Sequence, residues 1–97
     1  MMETTKTITL SKALESNDGN TRYEEINLRE PCLIEVEQFY TEQAKHSSSL
    51  PALRLLTVLV SGIPDQIIKK MAISDFNQCR DYLTGFLESV PGTNGGN

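Results

Sequence analysis

The sequence predicts an α+β fold in which an N-terminal antiparallel β-hairpin precedes a bundle of three to four α-helices. Two observations predict it: residues 5–29 alternate apolar and polar side chains around an Asp-Gly turn, and the segments after Pro31 repeat their apolar residues at helical spacing. The chain has 97 residues, the common size of one domain, which suffices for one modest core. We expect a single domain over residues 1–90 and a flexible, glycine-rich tail over residues 91–97.

The hairpin is predicted from strict alternation on both of its strands. Ile8 and Leu10 alternate with threonines on the first strand, and Ile26 and Leu28 share one face of the second. Tyr23 falls out of phase with that face, which either a β-bulge or a strand with two apolar faces would explain. Because an isolated two-stranded ribbon is marginally stable in water, the hairpin must pack on the helices or pair with another chain.

Four helices are predicted from apolar spacing and from residues that favour helix ends. Pro31 suits the first helical position, and Gly62 lies just past the end of the second helix. Ser74 is interpreted as the N-cap of the last helix, with Asp75 in its first turn. The predicted ranges are residues 31–45, 50–61, 64–71 and 74–89.

The second predicted helix is apolar around most of its circumference. Only Arg54, Thr57 and Ser61 form a polar stripe, and apolar residues cover the remaining arc of roughly 220°. One-sided packing needs little more than about 100°. The helix is therefore either sandwiched by its neighbours or beside an exposed groove that an amphipathic partner helix or a second copy would fill. The candidate partner-binding residues are Phe39, Tyr40, Leu55, Val58, Leu59 and Phe86.

Composition and motif content argue against nucleic-acid, metal and catalytic chemistry. The formal net charge is −4 and the nine Lys and Arg residues are scattered, whereas phosphate binding needs clustered cations. Cys32 and Cys79 share no ligand spacing with the single histidine, His46, so no metal site or cofactor is predicted. His46 lies in a serine-rich linker that cannot hold a catalytic geometry, so no catalytic residue and no enzyme activity are predicted.

The expected environment is the cytoplasm. No apolar stretch reaches about 18 residues, so no transmembrane helix is predicted, and the polar N-terminus is unlike a signal peptide. Both cysteines are interpreted as free and buried, each acting as a small apolar side chain, because disulfides need an oxidising compartment. An acidic run is either a solvated face or a surface that steers a basic partner. Its members are Glu24, Glu25, Glu30, Glu35, Glu37 and Glu42.

The order of these signals resembles the small tail assembly chaperones of contractile-tailed, Mu-like bacteriophages and prophages. The resemblance covers roughly residues 5–88, and the order and spacing of packing and turn signals carry it rather than one specific motif. Ala13 departs from the pattern, which has proline after the first strand. The segments that carry the resemblance are residues 6–12, 23–31, 55–64 and 67–86.

The resemblance implies a soluble protein that coats the long, largely helical tape measure protein in the host bacterial cytoplasm. It would keep that protein from aggregating until the tail tube polymerises around it, and would then leave, so it is not expected in the mature virion. Self-association and a longer frameshifted form, extending beyond Val90, are further partners left open. Two other classes stay open: a small DNA-associated regulator, and a structural tail component retained in the virion.

Overall fold

The computed structural model describes residues 4–88, so the predicted tail lies outside the described range. Within that range, two strands form one antiparallel hairpin and four helices follow it, which confirms the predicted fold class. The elements are β1 (Thr5–Glu15), β2 (Arg22–Arg29), α1 (Leu33–Gln43), α2 (Leu50–Ser61), α3 (Asp65–Ile68) and α4 (Ile73–Glu88).

The hairpin register shifts in the middle of β1. Thr9 pairs with Glu25, and the next paired residue of β1 is Leu14, which lies opposite Tyr23. Residues 10–13 of β1 therefore stand opposite Glu24 alone, a bulge that lengthens β1 relative to β2. The shift places Tyr23 on the core side of the hairpin, where it packs against the buried residues. Of the two explanations for the out-of-phase position of Tyr23, the β-bulge is therefore the correct one.

A buried carboxylate from α4 holds this bulge. Asp75 accepts the backbone N–H of Ser11 at 3.1 and 3.0 Å, the Ser11 hydroxyl at 3.1 Å and the Lys12 N–H at 3.4 Å. These amides lie in the stretch of β1 that has no partner on β2, so the carboxylate replaces ladder hydrogen bonds. Asp75 thereby fixes the first turn of α4 on β1.

The start of α1 differs from the prediction. Pro31 does not open the helix: it is buried before the helix, and Cys32 is the N-cap. The reason is local, since the Cys32 N–H donates to the Glu35 carboxylate at 2.9 Å, half of a capping box. α1 consequently begins at Leu33.

The α3–α4 region is also shorter and differently capped than predicted. α3 ends at Ile68 and forms a single turn, so it is shorter than the predicted range of residues 64–71. α4 begins at Ile73, so Ser74 lies inside its first turn and is not the N-cap. The first helical hydrogen bond runs from the Phe76 N–H to the Ala72 carbonyl at 3.0 Å.

α2 has the predicted range and is the most enclosed helix of the fold, with contacts to β2, α1, α3 and α4. It ends at Gly62, whose φ of 77° is left-handed and whose N–H donates to the Val58 carbonyl at 2.9 Å. Thr57, predicted on a polar stripe, is instead buried. Its hydroxyl donates to the Leu53 carbonyl at 2.8 Å, so burial leaves no polar group unsatisfied.

The core lies between the inner face of the hairpin and the helices, with Phe39 contributed by α1. The buried apolar residues of α4 face it: Phe76, Cys79, Tyr82, Leu83 and Leu87. The largest fully buried apolar side chains come from the hairpin, α2 and α4 together: Leu14, Ile26, Leu28, Leu56 and Leu83, with the Cys79 side chain among them.

Candidate partner-binding surface

The candidate partner-binding residues differ in solvent exposure: one is buried, four are half-buried and one is exposed. Phe39 is only 4% exposed and belongs to the core, whereas Tyr40 is 45% exposed. The two rings make an edge-to-face contact with centroids 5.0 Å apart, so Phe39 holds Tyr40 in place from below. The remaining four are half-buried: Leu55, Val58, Leu59 and Phe86.

α2 is neither fully sandwiched nor a simple surface helix. One side is buried by its neighbours through Ala52, Leu53, Leu56, Thr57 and Val60. The opposite side keeps its apolar residues half-buried, and we call it the outward side of α2, defined by Pro51, Arg54, Leu55, Val58 and Leu59. α2 is therefore enclosed by its neighbours on one side and half-buried on the other.

Several exposed apolar residues were not among the candidates. Leu33 is 75% exposed, Leu50 49% and Ile73 63%, and each is the first residue of its helix. Ile34, beside Leu33, is 55% exposed. Periodicity reports the angle of a residue around a helix but not its position along the axis, so it cannot identify a first turn that extends past the core. An apolar residue at a predicted helix start is the signal that would find them.

Two depressions lie on either side of Arg54. The first, which we call the basic depression, has a volume of about 170 Å³ between α2, α3 and the start of α4. The second, which we call the acidic depression, has a volume of about 230 Å³ on the outward side of α2. The basic depression is lined by Leu50, Arg54, Ile68, Lys69, Met71, Ile73 and Phe76. The acidic depression is lined by Glu42, Pro51, Arg54, Leu55, Val58 and Asp65.

One ion pair separates the two depressions. Arg54 Nε donates to Asp65 Oδ1 at 2.9 Å, joining α2 to α3, and Lys69 Nζ lies 3.8 Å from Asp65 Oδ2. Lys69 also lines the basic depression, so this depression has two cationic side chains, Arg54 and Lys69.

Glu42, which lines the acidic depression, forms two contacts with cationic or basic side chains. Its Oε2 lies 2.9 Å from His46 Nε2, and its Oε1 lies 3.7 Å from Lys45 Nζ. The hydrogen bond to His46 and the charge of Lys45 lower the pKa of Glu42 below its ordinary value.

An ion pair next to this surface joins the exposed Arg29 to the buried Glu35. Arg29 at the end of β2 donates to both carboxylate oxygens of Glu35, at 2.8 and 2.6 Å, and to the Leu59 carbonyl at 3.1 Å. The Arg29 hydrogen bonds are the largest cause that lowers the pKa of Glu35 from 4.5 to about 2. Because Glu35 is buried, the acidic run of the sequence is not one continuous solvated face.

Other chemistry is sparse in the described part of the chain. Between residues 4 and 88, no group of three or more His, Cys, Asp or Glu residues is placed to hold a metal ion. No helix in the same range is long and apolar enough to cross a membrane. Cys79 is buried as predicted, and burial raises the pKa of its thiol to about 12. The prediction that Cys32 is also buried is wrong, because Cys32 is the N-cap of α1 and is exposed.

One comparison with known proteins decides the family. The sequence model described as "Phage tail assembly chaperone proteins, E, or 41 or 14" matches residues 7–88. The chain belongs to this family. The match begins inside β1 and ends with the last residue of α4, so it reaches all six elements of this tail assembly chaperone. No curated protein and no solved structure matches the chain significantly.

Proposed function

We propose that this tail assembly chaperone binds the phage tape measure protein in the host cytoplasm and keeps it soluble until the tail tube assembles. The observation that carries the proposal is the apolar surface formed by Tyr40 and the outward side of α2, on a member of a chaperone family. No step of this function is catalytic, and no cofactor takes part. The chaperone leaves before the virion is complete.

The surface has the chemistry that a helical client needs. Leu55, Val58 and Leu59 are half-buried, so a partner side chain gains apolar contact without the chaperone having to unfold. Aliphatic side chains adapt to different client sequences, because their contacts are not directional. Several copies bound along one long client add avidity, so each copy needs only modest affinity.

Co-expression with the tape measure protein tests the proposal. The wild-type chaperone should keep the tape measure protein in the supernatant after ultracentrifugation and should co-purify with it. Leu55→Asp places a charge on the outward side of α2, and losing a contact at the centre of an interface weakens binding about five- to thirtyfold. Less tape measure protein should therefore stay soluble with this variant.

The matched control is Gln78→Asp, which introduces the same side chain at an exposed position of α4. It should behave as wild type, and urea unfolding of both variants checks that each is folded. If the tape measure protein is equally soluble and unbound with and without the chaperone, the proposal fails.

A further inference from the structure

The outer edge of β1 carries backbone groups that β2 does not use. The Glu30 N–H donates to the Thr4 carbonyl at 2.8 Å, so these two residues form a hydrogen-bonded pair of the antiparallel ladder. Hydrogen-bonded and non-hydrogen-bonded pairs alternate along such a ladder, which turns the N–H and C=O groups of Thr5, Thr7 and Thr9 away from β2. Within residues 4–88, no other backbone group bonds to these three amides.

Two side-chain contacts agree with this orientation. The Thr7 hydroxyl donates to Asn27 Oδ1 at 2.7 Å, as expected of a non-hydrogen-bonded pair, whose side chains lie closer together. Farther along the same edge, the outward N–H of Ser11 is bound by the Asp75 carboxylate at 3.0 Å. α4 therefore closes the edge at Ser11, and the open stretch covers residues 5–9.

This stretch lacks the features by which edge strands avoid pairing. Its outward residues are three threonines, which are uncharged, β-branched and favourable in strands. The β2 edge differs, because its outward residues include Glu25 and Arg29, and Arg29 also donates to the Leu59 carbonyl of α2 at 3.1 Å. Lys6 lies on the core side of β1 but is exposed, so the helices leave room beside this end of the strand. The open edge is therefore accessible to another strand.

We propose that two copies of the chain pair through these edges as antiparallel strands related by a two-fold axis at Thr7. Thr5 of one copy then lies opposite Thr9 of the second copy, and the two Thr7 residues lie opposite each other. Each copy contributes three N–H and three C=O groups, which together form about six hydrogen bonds.

A second copy is the occupant that this edge fits. The outward residues read Thr-x-Thr-x-Thr in both directions, so the edge is complementary to itself. Threonine pairs across strands are favourable, and this register places no like charges opposite each other. The helical client of the proposed function has no strand to add here.

The pairing joins two hairpins into one four-stranded sheet. Because the two-fold axis of an antiparallel pair is perpendicular to the sheet, the helices of both copies lie on the same side of it. The dimer therefore presents the outward sides of two α2 helices on one side of a shared sheet, which adds avidity for one long client. This consequence rests on the proposed function, whereas the pairing itself does not.

Sedimentation velocity over a concentration series, without any client, tests the pairing. A ladder of about six hydrogen bonds without an apolar interface core is weak, so the series extends to about 1 mM. The wild-type chaperone should change from monomer to dimer within this range. Thr7→Pro removes an outward N–H that β2 does not use, and it should raise the Kd of the dimer about tenfold or more.

Charged variants at Thr7 test the register. Thr7→Lys and Thr7→Glu each place like charges opposite each other at the two-fold axis and should weaken the dimer about two- to fivefold. An equimolar mixture should pair at least as tightly as wild type, because Lys then meets Glu. Thr21→Lys and Thr21→Glu make the same substitutions at an exposed hairpin residue away from this edge and should leave the Kd unchanged. Urea unfolding of every variant shows that it is folded.

Amide hydrogen exchange measured by NMR locates the pairing on individual residues. In dilute protein, the amides of Thr5, Thr7 and Thr9 should exchange faster than those of Lys6 and Ile8, which face β2. In concentrated protein, the three threonine amides should become protected.

Two outcomes overturn the inference. The first is a chaperone that stays monomeric up to about 1 mM. If Thr7→Pro then still keeps the tape measure protein soluble, the proposed function stands without pairing; if it does not, the client itself binds the edge. The second is a dimer that Thr7→Pro leaves unchanged, or that the Thr21 variants weaken equally, because another surface then joins the two copies.

Discussion

Removing the carboxylate of Asp75 should destabilise the protein more than removing any other charge in its described part. Asp75 is 1% exposed and accepts hydrogen bonds from the Ser11 N–H and hydroxyl and from the Lys12 N–H. In Asp75→Ala, these amides lose an acceptor that the bulge of β1 cannot replace. The expected loss in free energy of unfolding is about 2–4 kcal/mol.

The magnitude follows from the hydrogen bonds. A hydrogen bond to a charged group contributes about 1.5–3 kcal/mol, and a carboxylate in the first turn of a helix adds about 0.3–1 kcal/mol. The individual terms do not add fully, because Ser11 and Lys12 are exposed enough for water to replace part of the loss. Asp75→Asn keeps one carbonyl oxygen as acceptor and should lose about half as much.

Urea unfolding followed by circular dichroism measures this loss. With a slope of about 1.5 kcal/mol per molar urea, a loss of 3 kcal/mol lowers the unfolding midpoint by about 2 M. Asp81→Asn on the same helix is the matched control, because its side chain is 75% exposed, and it should change stability by less than about 0.5 kcal/mol. Equal midpoints for Asp75→Ala and Asp81→Asn would refute the role given to Asp75.

Three further predictions concern single groups. The folded-state pKa of Glu35 is lowered to about 2, so its ion pair with Arg29 stabilises the fold above about pH 4.5 and is lost as the pH falls; the stability difference between wild type and Glu35→Gln should shrink between about pH 5 and pH 2 in urea titrations. Gly62→Ala should lower the free energy of unfolding by about 1 kcal/mol, because a φ of 77° is strained for alanine. A steric clash does not add to this cost, since an added Cβ meets no atom within 4 Å, and an unchanged urea midpoint would contradict the backbone strain. Ellman's reagent should modify Cys32 promptly and Cys79 only after urea unfolding; two fast thiols contradict the burial of Cys79.

Local signals were sufficient to predict the elements, whereas the wrong predictions have both local and tertiary causes. Gly62 ends α2 in the sequence and in the structure because a left-handed C-cap is a property of the chain around one residue. The bulge in β1 depends on Asp75, which lies 64 residues away from Ser11, so no local pattern reveals its acceptor. Thr57 was wrongly predicted to lie on a polar stripe. Its hydroxyl donates a hydrogen bond within its own helix, so the side chain can be buried in the core.

The candidate surface was predictable in part for the same reasons. The apolar circumference of α2 indicated a helix with more apolar surface than one neighbour covers, and its outward side is half-buried in the structure. The depressions were not predictable, because each one combines side chains from at least two elements. The sequence marked both Phe39 and Tyr40 as candidates and could not show that Phe39 is buried and Tyr40 exposed.

Binding of the tape measure protein is the central claim, and dilution from denaturant tests it most directly. Purified tape measure protein in urea is diluted into buffer with increasing amounts of the chaperone, and light scattering records aggregation. The account predicts that scattering falls with chaperone concentration and reaches a plateau, and that Leu55→Asp needs about five- to thirtyfold more protein than wild type or Gln78→Asp. Scattering that is the same with and without the chaperone would contradict it.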